Sequence, residues 1–545
     1  MALTEISIPN LKSSNHTVLR PFDISEISQR DRRRYPRLST KTPSFFSQGP
    51  WYKKKKAAGI TTNRSETGLC FEINDKIVFS KDAPIQIRVR FSKSSGASTI
   101  SGKIIRSGFA SNGSTFYAIQ FAKPLTQYKT ENSDAFKKFI VSVFVVAAIV
   151  TLGLIKMQHI RWFWYDPLLR FYTLMTAVFI GSRFFLSLLY EEPADHGYLP
   201  SVSVIIAVKN EEKNITETIH HCFQSRYPKD RLDVIVIDDG STDDTWGVLD
   251  RLRPRYPELR LIKFPENKGK RHAMAIGAEQ AKGEILVYVD SDSFVEPDGI
   301  YRLVQSFVDP SVGAAAGHTQ VKVEASNVIS KMEAVRYFIS HQLFKTAESI
   351  FGTVTCCPGA FSAYRRNLVL AVLPAWLNQK FLGVQATFGD DRSLTNYILR
   401  NHKVLYHAGA VCYTYVPQRW SQFFRQQLRW KKSWARETTV AARIMINKHP
   451  LAALFYFVAI ALPVLSPIVF LRAFLYSPLV LGTPVLPYFY GIFFIYMTLS
   501  LYYFLSTYRS HWYCGILFAF VYMTVLCWQT YYAILTVNKT HWGTR

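Results

Sequence analysis

Hydrophobic and polar positions fall into three textures along the chain. In residues 69–73, 85–91, 99–105 and 115–121 apolar residues alternate with polar ones, and Ser, Gly and Asn turns separate the runs. Period-two alternation between turns predicts antiparallel strands, and their spacing predicts a small all-β barrel. From residue 201 the apolar runs become continuous, at 202–208, 233–237, 259–264 and 285–289, each leading into a polar cluster and a helical stretch. Strands covered on both faces need not alternate, so this pattern predicts a doubly covered, mostly parallel α/β sheet. The third texture is long: residues 139–155, 168–189, 451–471, 486–505 and 513–535 are nearly unbroken apolar runs. A membrane core about 30 Å thick takes roughly 20 such residues per helix.

These textures divide the chain into a polar arm (1–29), a barrel (30–130), two membrane spans (137–190), an α/β domain (195–416), amphipathic interface helices (417–450), three or more spans (451–537) and a tail (538–545). Two spans before residue 195 place the barrel and the α/β domain on one side of the membrane. Five spans in all would put the carboxyl terminus on the other side. Residues 474–485, with Pro478 and Pro484, leave room for a re-entrant or extra segment, and the basic tail favours the inside. Prolines within the runs predict broken helices lining a path. Arg183, costly in lipid, is expected to face that path or another helix. Residues 327–350 fit either an interface helix or a core-packed helix of the α/β domain.

The formal net charge of +26 would raise nucleic acid as a partner for a soluble protein. In a membrane protein with large cytoplasmic parts the same excess of Lys and Arg is expected on the cytoplasmic side, and no nucleic-acid partner is expected. Seven cysteines without metal-ligand or disulfide spacing point to a reducing compartment, and the first thirty residues lack the apolar core of a signal peptide.

The candidate chemistry gathers where the continuous strands end, the rim on which open α/β sheets bind ligands. The run 285–289 leads into Asp290 and Asp292, and an Asp-x-Asp pair can hold Mg²⁺ or Mn²⁺ while a nucleotide diphosphate supplies the remaining oxygens. Residues 238–243, DDGSTD, read alone as a turn and helix cap; clusters at all four strand ends are harder to assign to capping. Asp390 and Asp391 offer a second carboxylate pair, and transfer of a sugar to a hydroxyl needs a general base. In residues 425–430, RQQLRW, Arg429 can neutralise a leaving diphosphate and Trp430 can give a sugar ring an apolar platform. The same stretch also fits an amphipathic helix on the membrane surface. In the amino-terminal module, Arg33 and Arg37 can grip phosphates and stack on purines, and Asn63, Ser65 and Gly68 form a polar turn open to close approach. A solvated face or a juxtamembrane charge patch is the alternative for the arginines.

Two resemblances follow from these motifs. Arg33-x-x-x-Arg37 with Asn63-x-Ser65-x-x-Gly68 resembles the PilZ domain over residues 30–124, which implies a cyclic di-GMP site made of those five residues. The basic insert at 53–56 departs from that pattern and suits anionic membrane lipid. Asp238-Asp239, Asp290-x-Asp292, Gly389-Asp390-Asp391 and Gln426-x-x-Arg429-Trp430 occur in the order of processive glycosyltransferases of family 2. Residues 269–274, 389–396 and 425–430 look more narrowly like hyaluronan synthases, with chito-oligosaccharide and chitin synthases as near neighbours.

That resemblance, over about residues 200–440, implies a GT-A-like fold and a processive, inverting transfer from a UDP-sugar to a growing polysaccharide. It implies Val208, Glu211, Asp239, Lys270, Arg271 and Asp290 at the UDP-sugar, with Asp290 and Asp292 at the metal. It implies Asp391, with Asp390, Arg429, Gln426 and Trp430, in catalysis, and Cys357 with Trp430 at the acceptor. A PilZ-like module is unusual for hyaluronan synthases, whereas bacterial cellulose synthase carries one, so the combination implies a bacterial exopolysaccharide made at the inner membrane under second-messenger control. Two other classes remain: a non-catalytic receptor on a transferase scaffold, and a non-processive transferase acting on a lipid carrier.

Overall fold

In the computed structural model the described residues are 42–48, 55–64, 68–73, 84–90, 97–109 and 115–121, Val143, and 166–538 apart from 325, 483 and 484. They belong to two units, 1–139 and 140–545. In the first, six strands are described: β1 (Thr42–Gln48), β2 (Lys55–Arg64), β3 (Gly68–Ile73), β4 (Pro84–Arg90), β5 (Ala97–Phe109) and β6 (Thr115–Phe121). They pair antiparallel in the order β1-β2-β3-β6-β5-β4, and β1 also pairs with β4. Lys55 and Lys56 open β2 opposite Gln48 and Ser47. Asn63 lies on β2 past a register shift, and Gly68 opens the neighbouring β3. Arg33, Arg37 and Ser65 lie outside the described residues, as does the expected span at 139–155 apart from Val143.

The second unit starts with α1 (Pro167–Leu189). Next come β7 (Val202–Val208), α2 (Ile215–Phe223), β8 (Leu232–Asp238), α3 (Thr245–Leu252), β9 (Leu259–Lys263), α4 (Lys270–Gln280) and β10 (Ile285–Tyr288). Parallel pairs β10-β7-β8-β9 form this half of the sheet. Their continuous apolar runs are explained by burial on both faces. Val202, Val204, Val234, Val236, Ile285 and Val287 join one core cluster. Ile205, Ile235, Ile237, Leu286 and Tyr288 join the other.

The second half departs from the expected parallel order. β11 (Ser293–Val295), α5 (Gly299–Gln305), β12 (Val312–Val321), α6 (Val328–Ile339), α7 (Thr346–Ser349), β13 (Ser362–Arg365) and α8 (Arg366–Leu377) follow, then the small hairpin β14 (Lys380–Phe381) and β15 (Val384–Gln385). α9 (Asp390–Leu399), β16 (Lys403–Thr414) and α10 (Trp420–Met445) complete it. The eight-stranded order is β11-β16-β12-β13-β10-β7-β8-β9. β13 runs antiparallel to both its neighbours, and β11 antiparallel to β16, so the sheet is mixed. β10 sits mid-sheet and β11 at the edge, so Asp290 and Asp292 lie on the turn where the chain crosses the rim.

His318 on β12 and His407 on β16 are buried, and burial pushes their pKa down to about 4 and about 3. Both are neutral when folded but take a proton in the unfolded chain below about pH 6.5. Their stabilisation is thus complete above that pH and lost on acidification toward pH 4, by up to about 1.4 kcal/mol per pH unit for each. Thermal midpoints in detergent should fall across this window, and less steeply for His318→Gln.

Among the described residues, four helices are long and apolar enough to cross a membrane: Pro167–Leu189, Pro450–Val480, Tyr488–Thr507 and Ser510–Leu535. The second begins as α11 (Pro450–Leu471) and continues through a π-helical turn, Arg472–Tyr476, into Ser477–Val480. Residues 474–480 therefore extend this helix and do not form a separate segment. Nor do its prolines break it. Pro467 cannot donate to the carbonyl of Pro463, and that oxygen instead accepts the Ser466 hydroxyl at 3.1 Å. α12 (Leu486–Thr507), α13 (Cys514–Val521) and α14 (Cys527–Leu535) supply the rest.

Asp166 caps α1 by accepting from Leu169 N at 3.2 Å and pairs with Arg472 Nε at 2.6 Å, tying α1 to the far end of α11. Arg183 turns inward as expected. Its guanidinium lies 4.7 Å from the Phe179 ring and 4.3 Å from the Phe455 ring of α11, in the wall of a 190 Å³ cavity that also touches Glu348 and Arg392. α6 combines both roles left open for residues 327–350: Ala334 packs against Val321 of β12, and the rest of the helix meets the interface and membrane helices. Ile329 and Met332 pack against Phe423 and Val521, and Val335 and Ile339 against Phe184 and Tyr503.

Candidate active site

One side of the rim is built from the loops after β7 and β8. Asn210 Oδ1 accepts from Thr242 N at 2.8 Å, and Asn210 N donates to Ser241 Oγ at 3.0 Å, which couples the two loops. Val208 is buried, and its carbonyl accepts Asp239 N at 2.9 Å. Glu211 N donates to Thr245 Oγ1 at 2.9 Å, and its carboxylate accepts Asn214 Nδ2 at 2.9 Å. Asp239 is buried and accepts from Lys268 N at 2.7 Å and Gly269 N at 3.0 Å. Burial raises its pKa, against the pull of those two amides. Asp239 thus anchors the loop that delivers Lys270.

Lys270 and Arg271, predicted to act together, are separated by the structure. Successive residues on a helix point about 100° apart. Lys270 Nζ pairs with Asp290 Oδ1, and although burial opposes its charge, Asp290 holds its pKa above the ordinary lysine value. Arg271 is buried and reaches the other carboxylate pair: Nε donates to Asp390 Oδ1 at 2.8 Å and Nη1 to the Trp376 carbonyl at 2.9 Å. Asp390, expected in catalysis, is therefore taken up in a buried ion pair. Asp391, the other carboxylate of the Asp390–Asp391 pair, is only partly buried.

Asp391 sits in the first turn of α9, where the helix dipole favours a negative charge. Its Oδ1 accepts Arg392 N at 2.8 Å, and its Oδ2 accepts a long contact from Cys356 Sγ at 3.5 Å. Burial, reinforced by the Asp391 charge, pushes the Cys356 thiol up to about 12, so it stays protonated and able to donate. Cys357, predicted at the acceptor, is fully buried in the core, with its amide on Thr395 Oγ1 at 3.0 Å. Its neighbour Cys356 takes the place beside the carboxylate; residue type alone cannot decide which of two adjacent cysteines faces the site. Two residues on, a Cβ at Gly359 would stand 3.0 Å from Asp290 Oδ1 and 3.3 Å from Lys270 Nζ. The short segment 356–359 therefore runs from the Cys356–Asp391 contact to the space beside Asp290.

α10 closes this arrangement. Arg436 Nη2 donates to the Phe388 carbonyl, and its Nε pairs with Glu437 Oε1 at 2.7 Å. Glu437 also accepts Gln379 Nε2 at 3.1 Å and Asn396 Nδ2 at 3.2 Å. This buried network fixes α10 against the start of α9. Gly389 lies between them with φ +78, and a Cβ there would overlap the Ser433 hydroxyl. Gly389→Ala should combine left-handed strain with overpacking, on the order of 3 kcal/mol together. The check is a lowered thermal midpoint.

Earlier on α10, Gln426 Oε1 is buried without a hydrogen-bond partner, and Trp430 faces Tyr337 with ring centroids 6.4 Å apart. Arg336 covers the Trp430 ring at 5.2 Å and donates to Gln427 at 3.0 Å. Neither Arg336 nor Tyr337 was singled out by motif. The only sequence signal was an acid–base pair three residues apart, Glu333 and Arg336, on a helix of mixed polarity.

Among the described residues no group of three or more His, Cys, Asp and Glu side chains is placed to hold a metal. Asp290 and Asp292 alone would leave most of a cation's oxygen ligands to substrate and water, as suits a metal that arrives with a diphosphate.

Four membrane-length helices among the described residues agree with what sequence comparison returns: the protein is a membrane glycosyltransferase. Residues 203–373, which include Asp239, Lys270, Asp290 and Asp292, match the family model described as Glycosyl transferase family 2. The chain is 27% identical to a hyaluronan synthase of Streptococcus pyogenes serotype M3 (strain ATCC BAA-595 / MGAS315), over 69% of this chain and 90% of that relative. It is 33% identical to an N-acetylglucosaminyltransferase of Rhizobium meliloti (strain 1021), over 48% of this chain and 62% of that relative. Among solved structures, the mannosyltransferase PcManGT from Pyrobaculum calidifontis, in complex with GDP-Man and Mn²⁺, aligns with a TM-score of 0.48 at 22% identity, covering 66% of this chain and 99% of that one.

Proposed function

We propose that the protein is a processive, inverting polysaccharide synthase that uses UDP-sugars. The observation that carries this reading is the segment 356–359, which spans from Asp391 to Asp290 and so brings a base within one short stretch of the diphosphate pole. Similarity to a hyaluronan synthase over most of that relative's length supports a polymer product.

In this reading Asp391 removes the proton from the acceptor hydroxyl as that oxygen bonds to the anomeric carbon. The bond from that carbon to the diphosphate oxygen breaks, and UDP leaves on the opposite face with inversion. Trp430 carries the acceptor ring, while Lys270 and Arg429 face the departing charge. Val208, Glu211 and Asp239 shape the nucleotide pocket, Asp239 through the loop it anchors. Asp290 and Asp292 would hold Mg²⁺ or Mn²⁺, whose chemistry when bound is to offset diphosphate charge. The transferase domain would face the cytoplasm of a bacterial inner membrane, with the helices giving the polymer its way out.

The amino-terminal strands are assigned, as a further part of the proposal, to a PilZ-like sensor for cyclic di-GMP. Asn63 and Gly68 on the paired strands β2 and β3 support it, together with Arg33, Arg37 and Ser65 in the sequence.

The test is UDP release by detergent-solubilised protein with Mn²⁺, scanned over UDP-N-acetylglucosamine, UDP-glucuronate and UDP-glucose, with and without cyclic di-GMP. Turnover requiring the first two together means a hyaluronan-type copolymer, and turnover with one alone means a homopolymer. Silence with every donor would contradict the synthase reading. Calorimetry without heat from cyclic di-GMP on the full chain would contradict the sensor.

A further inference from the structure

Glu333 is an acid in the wrong surroundings. It lies on α6 between Met332 and Val335, fully buried, and burial raises its pKa against the pull of Arg336. Taking a carboxylate out of water costs several kcal/mol, and an apolar side chain would pack here at no such cost. What the acid does is fix Arg336, one turn on, whose Nη2 donates to Glu333 Oε2 at 2.6 Å.

The guanidinium so fixed has two further engagements. Its Nη1 donates to Gln427 Oε1 at 3.0 Å, and its Cζ lies over the Trp430 ring, 5.2 Å from the ring centre. Gln427 and Trp430 are three apart on α10 and share a face. One planar group therefore grips the helix by a hydrogen bond and the ring by its face. Tyr337 at 5.6 Å and Phe518 of α13, also at 5.6 Å, complete an aromatic sleeve around it. Phe518 stands on a helix of membrane length, so the sleeve joins α6, α10 and the membrane region at one side chain.

We propose that Arg336, braced by Glu333 and Gln427, is a positioning residue that sets the orientation of Trp430 for the acceptor sugar. The inference rests on the reading of Trp430 as the acceptor platform. A rigid fork is needed because only a planar guanidinium can be bidentate and stacked at once; a lysine ammonium keeps the charge but loses that geometry.

The test uses the full chain in detergent with Mn²⁺, comparing the parent with Arg336→Met, Arg336→Lys, Gln427→Leu, Trp430→Ala and the double variant Arg336→Met/Trp430→Ala. Measured quantities are product length, KM for donor and Kd for UDP. Arg336→Met and Arg336→Lys should shorten the product at least tenfold while donor KM and UDP Kd move less than twofold. In the Trp430→Ala background, Arg336→Met should add nothing further, because it acts through that ring. Parent-length product from Arg336→Met, or an undiminished effect in the Trp430→Ala background, would overturn the inference. If Arg336→Met fails to fold, Gln427→Leu decides by the same criteria. Normal product from Trp430→Ala would instead sink the acceptor reading itself.

Discussion

Asp391→Asn should reduce sugar transfer by about 10²–10⁴-fold, the usual contribution of a positioned general base. UDP affinity should stay within twofold, because Asp391 contacts Cys356 and the α9 amide while the nucleotide loops hang on Asp239 and Asn210. The amide is isosteric and remains at the helix start, so the protein should melt near the parent temperature. A variant that transfers sugar at the parent rate would remove Asp391 from the mechanism. A variant that also loses UDP would move it to the donor side. Single-turnover transfer and calorimetry with UDP separate these outcomes.

The adjacent carboxylate should behave in the opposite way. Arg271 and Asp390 are both nearly sealed from solvent, and their bond is the link between α4 and α9. Removing one partner leaves an uncompensated charge inside the protein, which typically costs 3–5 kcal/mol. Arg271→Met should therefore lower the thermal midpoint strongly and reduce yield from the membrane, whatever its effect on turnover. Removing both charges, as Arg271→Met with Asp390→Leu, should recover part of the loss because no lone charge remains buried. Equal stability of Arg271→Met and parent would mean that the pair is solvated in solution. The two neighbours thus separate by readout, Asp390 by stability and Asp391 by rate.

Much of this was legible in residue order. The runs that end in Asp239 and Asp290 are buried on both faces, as their lack of alternation requires, and their ends form one rim. The antiparallel β13 was not legible. Its four residues, SAYR, are too short to carry a period, and pairing with β12 and β10 decides their direction. Motif order brought Asp390 and Asp391 forward together. Only the rotation of α9 shows that one is spent on Arg271. The same holds for Cys356 and Cys357, and for Gln426 and Gln427: in each pair the direction of a side chain is a tertiary fact. Arg336 was invisible for a different reason. Its importance lies in contacts with α10 and α13, which stand about 90 and 180 residues away in the chain.

The most direct measurement is the size of the product. Purified full-length protein, given Mn²⁺ and radiolabelled UDP-N-acetylglucosamine with or without UDP-glucuronate, should convert label into polymer that stays at the origin of a gel. That polymer should be absent with Asp391→Asn. Label recovered only as free monosaccharide or as a single sugar on lipid would contradict a processive synthase.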